Sequence, residues 1–272
     1  MGQKMRNAPV YFAIGQVQHN PLLSLDSYLP GIQESMRKTG YPDFKRGLQV
    51  AFNLTANVTQ DGTQVQAPPV QKLEQYSFLN AAGTSGFVLL TNALSFQTTQ
   101  YDTFESFSRE LRRGLEILQA AVGGMSFIER LGLRYLDAVV PAKGESMRDY
   151  LANEVLGLSA RMTDYQFSYS FTESVLTAQG TGQVVSRTII QNAPLGFPPD
   201  LQPQPLRVAD RFRSVCGEHA VIDTDGSLTA RKPFELNEVQ QSLQGLHDLI
   251  DKTFHATATE HARSVWSNKE ER

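Results

Sequence analysis

The sequence predicts an α+β protein in which antiparallel sheets are covered by long helices. Segments with alternating apolar residues come in neighbouring pairs, separated by turn residues such as Gly83-Thr-Ser-Gly86 and Gly180-Thr-Gly182. This arrangement favours antiparallel hairpins. Two longer segments, over 104–122 and 236–266, instead repeat apolar residues at helical spacing.

The first half of the chain is predicted to contain a strand, a helix, a group of antiparallel strands and a long helix. Strand-forming residues are dense over 10–17, and apolar residues at helical spacing mark a helix over 25–36. Alternation then predicts strands between 46 and 99. The long helix follows the capping box Asp102-Thr-Phe-Glu105 and is stopped by Gly123-Gly124.

The same order of elements begins again after Gly124. The predicted elements are a strand over 127–140, a helix capped by Ser146, strands over 165–177 and 183–190, two short strands around Thr224-Asp-Gly226, and a final helix to Trp266.

Both halves therefore follow the order strand, helix, three or four antiparallel strands, long helix. This order predicts two similarly ordered units, 1–124 and 125–272, although one compact unit also fits. Because a sheet cannot leave its apolar face bare, each long helix is expected to cover the sheet of its own half. By element order, the architecture resembles helix-grip or TATA-box-binding-protein-like folds.

The composition limits the classes of function. With 25 Lys and Arg against 28 Asp and Glu, the chain lacks the basic excess typical of a duplex DNA-binding protein. Its single thiol, Cys216, cannot form an internal disulfide, so a cytoplasmic location is predicted. The sequence shows no signal-peptide core and no apolar run long enough to span a bilayer, so no membrane association is expected.

The segment Arg130-Leu-Gly-Leu-Arg134-Tyr135 is the candidate ligand-binding site. In a strand, Arg130 and Arg134 share one face with the intervening glycine, whereas Tyr135 lies on the other face. Two guanidinium groups beside a glycine leave room for a carboxylate or a phosphate. The alternative is a structural role in which the arginines pair with acids such as Glu105 or Glu129.

Four aromatic residues, Tyr165, Phe167, Tyr169 and Phe171, share one face of a predicted strand. If that face is exposed, the rings are suited to stack on unpaired bases or to line an apolar pocket. A position in the core beneath a helix is the favoured interpretation, because the strand has no interleaved Lys or Arg.

No motif predicts a catalytic residue, a cofactor or a metal site. Asp223-Thr-Asp225-Gly-Ser begins like a calcium loop, but Glu235 is one position too far along, so a hairpin turn is predicted instead. The chain has no phosphate-binding or dinucleotide-binding glycine loop. Cys216 and His219 form the one nucleophile and base pair close enough in sequence to test.

Several short segments together resemble one known family. They are Ala8-Pro9-Val10, Tyr41-Pro42, Tyr101-Asp-Thr-Phe-Glu105, Arg130-Leu-Gly-Leu-Arg134-Tyr135, Leu246-His247, Phe254 and Trp266. The chain resembles a sporadically distributed family of uncharacterised bacterial proteins marked by Arg-x-Gly-Leu-Arg-Tyr. The family usually has Asn where this chain has Asp137. The resemblance implies no known catalytic activity, and the patchy distribution implies an accessory role in mobile or defence-related loci.

These observations predict a non-enzymatic binding or scaffold protein. Its ligand would be a protein segment or a small anion, held in the cleft between helix-covered sheets or at the junction of the halves. Two alternatives stay open. One is a single-stranded nucleic-acid-binding protein that uses the aromatic strand, and the other is an unfamiliar hydrolase that uses Cys216 and His219.

Overall fold

Nine strands form one antiparallel sheet in the computed structural model, which describes residues 7–52, 70–162, 164, 168–201 and 206–267. The strands are β1 (Val10–His19), β2 (Asp43–Phe52), β3 (Val70–Leu79), β4 (Ser85–Leu90), β5 (Ala93–Thr98), β6 (Phe127–Val139), β7 (Tyr169–Ala178), β8 (Gly182–Pro194) and β9 (Cys216–Pro233). Their order across the sheet is β2-β3-β4-β5-β1-β6-β9-β8-β7. The predicted α+β class is confirmed.

Seven helices accompany the sheet within the described ranges. They are α1 (Leu25–Lys38), α2 (Phe104–Val122), α3 (Met147–Tyr150), α4 (Asn153–Leu156), α5 (Asp210–Arg213), α6 (Leu236–Thr257) and α7 (Glu260–Ser267). The side chain of Thr103 accepts a hydrogen bond from the backbone N–H of Ser106 and caps α2, and Gly123 ends that helix in the left-handed region. None of these helices is both long enough and apolar enough to cross a membrane.

The antiparallel pair of β1 and β6 lies at the centre of the sheet and joins strands from the two halves of the chain. A bulge interrupts this pair near the start of β1. Tyr11 and Phe12 both join the cluster that contains Leu136, whereas Val10 pairs with Asp137. The bulge thus leaves Val10 and Asp137 together at the end of the central pair.

Different parts of the chain cover the two faces of the sheet. On one face, apolar residues of α2 and α6, such as Leu111, Leu115, Leu243 and Leu246, form the main core with the strands. On the other face, apolar residues within 195–201 and 206–213 pack against a smaller cluster around Tyr11 and Phe12. The sheet therefore has a helix face and an opposite face.

Helices α2 and α6 lie side by side and run in opposite directions. Ser108 donates a hydrogen bond to Gln240 over 2.6 Å, and Arg112 donates one to Asn237 over 3.0 Å. Near the N-terminal end of α2, the Phe104 ring stacks on the ring of His247. The start of α2 therefore meets the middle of α6 above the central strands.

The predicted turn at Thr224-Asp-Gly226 is wrong, because β9 runs without a break through these residues. Gly226 is needed for helix packing and not for a turn. A side chain at that position would place its Cβ 2.9 Å from Ile250 Cδ1, so glycine allows α6 to approach the sheet closely.

Three other element boundaries differ from the prediction. The predicted strand over 87–98 is a hairpin of β4 and β5, and the helix expected after Ser146 is divided into the short helices α3 and α4. The final helix breaks at Ala258, whose backbone is extended and forms a bridge with Leu151. Each difference reflects a tertiary contact that local propensity does not encode.

Two glycines in helices provide a matched test of the packing. A side chain at Gly114 in α2 would overlap the Phe87 ring, whereas no atom lies within 4 Å of the corresponding position at Gly31 in α1. We expect Gly114→Ala to lower the free energy of unfolding by about 1 to 3 kcal/mol. Gly31→Ala should raise it by up to about 1 kcal/mol, because alanine favours helix. Urea denaturation measures both, and a stabilising Gly114→Ala would contradict the packing of α2.

Candidate functional site

A cavity of about 170 Å³ lies where the N-terminal end of α2 and the second half of α6 meet the central strands. Its walls contain the aromatic rings of Tyr101, Phe104, Tyr135, His247 and Phe254. Its acidic side chains are Asp102, Glu105, Asp137 and Asp251. Concave, largely apolar sites with a few converging polar groups are typical of small-molecule binding.

Asp137 is the deepest of the four acids. It follows Tyr135 by two residues on β6, so both side chains lie on the helix face, and only 7% of Asp137 is exposed. In the described part of the chain, its carboxyl group has no hydrogen-bond partner. Burial, together with the charge of Asp223, raises the pKa of Asp137 to about 8. The carboxyl group is therefore mostly protonated at neutral pH.

Thr224 contributes a second unpartnered polar group to the same cavity. It lies directly across from Tyr135 in the pairing of β6 with β9. Its hydroxyl oxygen is buried and has no hydrogen-bond partner among the described residues. Because buried polar groups are normally hydrogen-bonded, an unpaired hydroxyl and an unpaired carboxyl group that line one cavity indicate a place for a ligand or for water.

The aromatic wall contains polar groups that are neutral at physiological pH. The Tyr135 hydroxyl lies 3.3 Å from the Tyr101 hydroxyl and 3.4 Å from His247 Nδ1. The His247 ring stacks on Phe104 with 4.2 Å between ring centroids. Burial lowers the pKa of His247 and raises the pKa of both tyrosines, so all three side chains are held in their uncharged forms.

Arg134 lies on the opposite face and is fully paired. It donates hydrogen bonds of 2.7 Å from both Nε and Nη2 to the Asp223 carboxylate. It also donates to Asp200, over 2.9 Å from Nη1. Burial disfavours the charged guanidinium, but these hydrogen bonds outweigh that effect and raise the pKa of Arg134 above its usual value. The acids that pair with Arg134 are therefore Asp223 and Asp200, and not Glu105 or Glu129.

The predicted ligand-binding residues Arg130, Arg134 and Tyr135 do not form one site. Arg130 is half-buried, and its guanidinium lies over Gly132 in the space that the sequence analysis reserved for a ligand. Arg134 shares that face but is engaged by carboxylates, whereas Tyr135 lies on the helix face inside the cavity. Of the three, Tyr135 is the one that lines a concave site.

The aromatic strand is only partly described. Tyr165 and Phe167 lie outside the described residues. The side chains of Tyr169 and Phe171 are 58% and 46% exposed, so these two rings do not belong to the core. They lie on β7, an edge strand whose side chains have a neighbouring strand on one side only.

Cys216 and His219 do not act on each other. Cys216 is exposed at the start of β9, whereas His219 is fully buried. One ring nitrogen of His219 lies 2.9 Å from the carbonyl oxygen of Gly217, and the other lies 3.2 Å from Gln191 Nε2. Both nitrogens are therefore engaged away from the thiol. In the described ranges, no group of three or more His, Cys, Asp or Glu side chains could hold a metal ion.

Asp137 is not among the site residues that the sequence motifs predict, although the alternation along β6 points to it. The alternation that places Leu131, Leu133 and Tyr135 on one face of β6 also places Asp137 there. A carboxyl group at the end of an apolar face is unusual and favours a buried polar site.

No family model, curated protein or solved structure is similar enough to this chain to count as a match. The resemblance to the bacterial family therefore stays a prediction from the sequence. The site has to be interpreted from its own geometry.

Replacing Asp137 with Asn should change how stability depends on pH. The carboxyl group of an unfolded chain titrates near 3.8, whereas in the folded protein its pKa is about 8. Between these values the unfolded state loses a proton that the folded state keeps, so burial of Asp137 lowers stability increasingly as pH rises. We expect the stability of Asp137→Asn relative to wild type to increase by up to roughly 1 kcal/mol per pH unit over this range and to level off above it. Urea denaturation at several pH values measures this difference, and a pH-independent difference would contradict it.

Removing Arg134 should destabilise the protein because it leaves the fully buried Asp223 without its main partner. We expect Arg134→Ala to lower the free energy of unfolding by about 3 kcal/mol. The double variant Arg134→Met with Asp223→Leu should lose much less, since both charges are removed. Denaturation curves of the single and double variants test this, and an unchanged stability of Arg134→Ala would show that the pair has no structural role.

Proposed function

We propose that this chain is a small-molecule-binding protein whose site is the cavity between α2, α6 and the central strands. The supporting observation is that Asp137 and Thr224 line a cavity walled by aromatic rings, and that neither buried polar group has a hydrogen-bond partner among the described residues. Unpaired polar groups of this kind lower stability, so a ligand that pairs with them gains binding free energy. The site recognises a ligand through these groups without changing it.

We also propose that the chain consists of two similarly ordered halves, each with a long helix, as in a helix-grip fold. The cavity then lies where the two halves meet. In each half, the first strand pairs with the last strand of that half, β1 with β5 and β6 with β9. A long helix follows that last strand, α2 after β5 and α6 after β9. The cavity lies at the junction, beside the first residues of α2 and under the second half of α6.

A small anion, one of the ligands that the sequence suggested, does not suit this cavity. The charged side chains that line it among the described residues are all acidic. Asp102 and Glu105 are exposed, and Asp251 is half-buried. Like charges brought close together repel each other, so these carboxylates oppose an anion that enters.

Binding of a single-stranded nucleic acid is a second candidate, which the exposure of Tyr169 and Phe171 favours. The arginine nearest to these rings in the sheet, Arg187, already pairs with Glu173 over 2.6 Å and lies 3.4 Å from Asp223. This face therefore has little free positive charge for a phosphate backbone. The cavity is the better supported site.

Variants on the two faces of the sheet test the location of the site. Ala8→Phe and Phe254→Trp enlarge side chains that line the cavity, whereas Arg130→Ala changes the opposite face. After incubation with a bacterial small-molecule extract and removal of free compounds, native mass spectrometry should show the same added mass on wild type and on Arg130→Ala. Both cavity variants should lack that mass while keeping a cooperative thermal transition.

Three results would contradict the proposed function. The first is that wild type retains no compound, and the second is that both cavity variants retain the compound while Arg130→Ala loses it. The third is that the retained compound is converted into a product, because the protein would then be an enzyme.

A further inference from the structure

We propose that the ligand of this cavity is a small organic cation with a protonated amino group, and that Asp137 binds this group together with Thr224. This inference rests on the proposed function and names the chemical class of the ligand. Three observations support it. The cavity is lined by acidic side chains, two buried side chains in it have no described hydrogen-bond partner, and its walls are aromatic.

The ionisable side chains that give the cavity its charge are all acidic among the described residues. Asp102 directly precedes the N-cap of α2, Glu105 lies in the first turn of α2, Asp251 lies on α6, and Asp137 lies on β6. None of the described residues that line the cavity is a Lys or an Arg. The field of Asp102, Glu105 and Asp251 attracts a cation from solution toward the cavity in which Asp137 is the most buried acid.

Among the residues that the structure describes, none supplies a cation to Asp137. The arginine closest to it along β6 is Arg134, which lies on the opposite face with its guanidinium held by Asp223 and Asp200. A buried carboxylate without a partner is costly, whereas one that is paired and hydrogen-bonded is tolerated. An ammonium group offers three donors, enough for the Asp137 carboxylate and the Thr224 hydroxyl at once.

The walls suit the rest of such a ligand. Phe104, Phe254 and the two tyrosines provide aromatic surfaces, which attract a cation through their negatively polarised faces. A cavity of about 170 Å³ is close in size to one that holds a benzene ring, so the ligand has roughly six to ten non-hydrogen atoms.

Binding of an ammonium ion should release a proton. In the free protein at neutral pH, the Asp137 carboxyl group keeps its proton, which an arriving ammonium group displaces. Burial keeps the neighbouring tyrosines and His247 uncharged, and the Asp223 carboxylate is paired with Arg134. The titratable groups near Asp137 come from every element packed around it. They are Tyr101, Asp102 and Glu105 around the start of α2, Tyr135 on β6, His247 and Asp251 on α6, and, on the other face, Tyr11 on β1 and Asp223 on β9. The pH dependence of binding therefore reports on Asp137.

Three probes of nearly equal size and different charge test the inference: benzylammonium, benzyl alcohol and benzoate. Calorimetric titration of the full chain should show that benzylammonium binds at least about tenfold more tightly than the other two. Its Kd should fall by more than about tenfold between about pH 6.5 and 8.5, because Asp137 becomes easier to ionise.

Two variants in the cavity test the Asp137 charge and the Thr224 hydroxyl group separately. Asp137→Asn keeps the size of the side chain but should lose both the preference for benzylammonium and the pH dependence of its Kd. Thr224→Val should weaken the binding of benzylammonium several-fold and keep the pH dependence, because the carboxyl group is still present. Arg130→Ala is the control from the opposite face and should bind as wild type does.

The outcomes distinguish this inference from the proposed function. If benzyl alcohol or benzoate binds as tightly as benzylammonium and Ala8→Phe abolishes that binding, the cavity is a binding site but not one for cations. If benzylammonium binds equally well to Asp137→Asn, the assignment of Asp137 is wrong. If no probe binds, the inference is overturned, whereas the extract experiment still decides whether the cavity binds a ligand.

Discussion

The antiparallel pairing of β1 with β6 determines the position of both groups of polar residues in the protein. Since alternate residues of a strand lie on opposite faces, β6 presents Arg134 to one face and Tyr135 and Asp137 to the other. A shift of this pairing by one residue would place a guanidinium under the helices and apolar side chains in the ion-pair group. The bulge at Tyr11 and Phe12 preserves this register while Val10 stays opposite Asp137.

The two faces of the sheet differ in whether their buried carboxyl groups are paired. On the face opposite the helices, Asp200, Arg134, Asp223, Arg187 and Glu173 form a continuous chain of ion pairs. Each buried charge there has a partner, as expected where polar groups support the fold. On the helix face, Asp137 and Thr224 have no described partner, although both are more than nine-tenths buried. This contrast between paired and unpaired buried carboxyl groups is the physical basis for placing the binding site in the cavity.

The sequence predicts the elements well because their signals are local, but it does not predict their partners. The alternation in β6 and the glycine stop of α2 are properties of a few neighbouring residues, and both predictions are confirmed. The predicted capping box is wrong by one residue, because Thr103 and not Asp102 caps α2. Arg134 instead pairs with residues 89 and 66 positions away, which no spacing rule reveals. Gly226 was interpreted as a turn residue because glycine also serves where a helix approaches a sheet, and sequence alone does not separate these uses.

Asp137 is a buried carboxyl group without a hydrogen-bond partner in the described part of the chain, and the proposed site depends on it. The most direct test of this site is the titration of the Asp137 side-chain carboxyl carbon by NMR in the ligand-free protein, with Asp137→Asn used to assign the resonance. The structure predicts a midpoint near 8. A midpoint near the value of an exposed aspartate, about 4, would show that Asp137 is solvated or already paired, and would contradict the account.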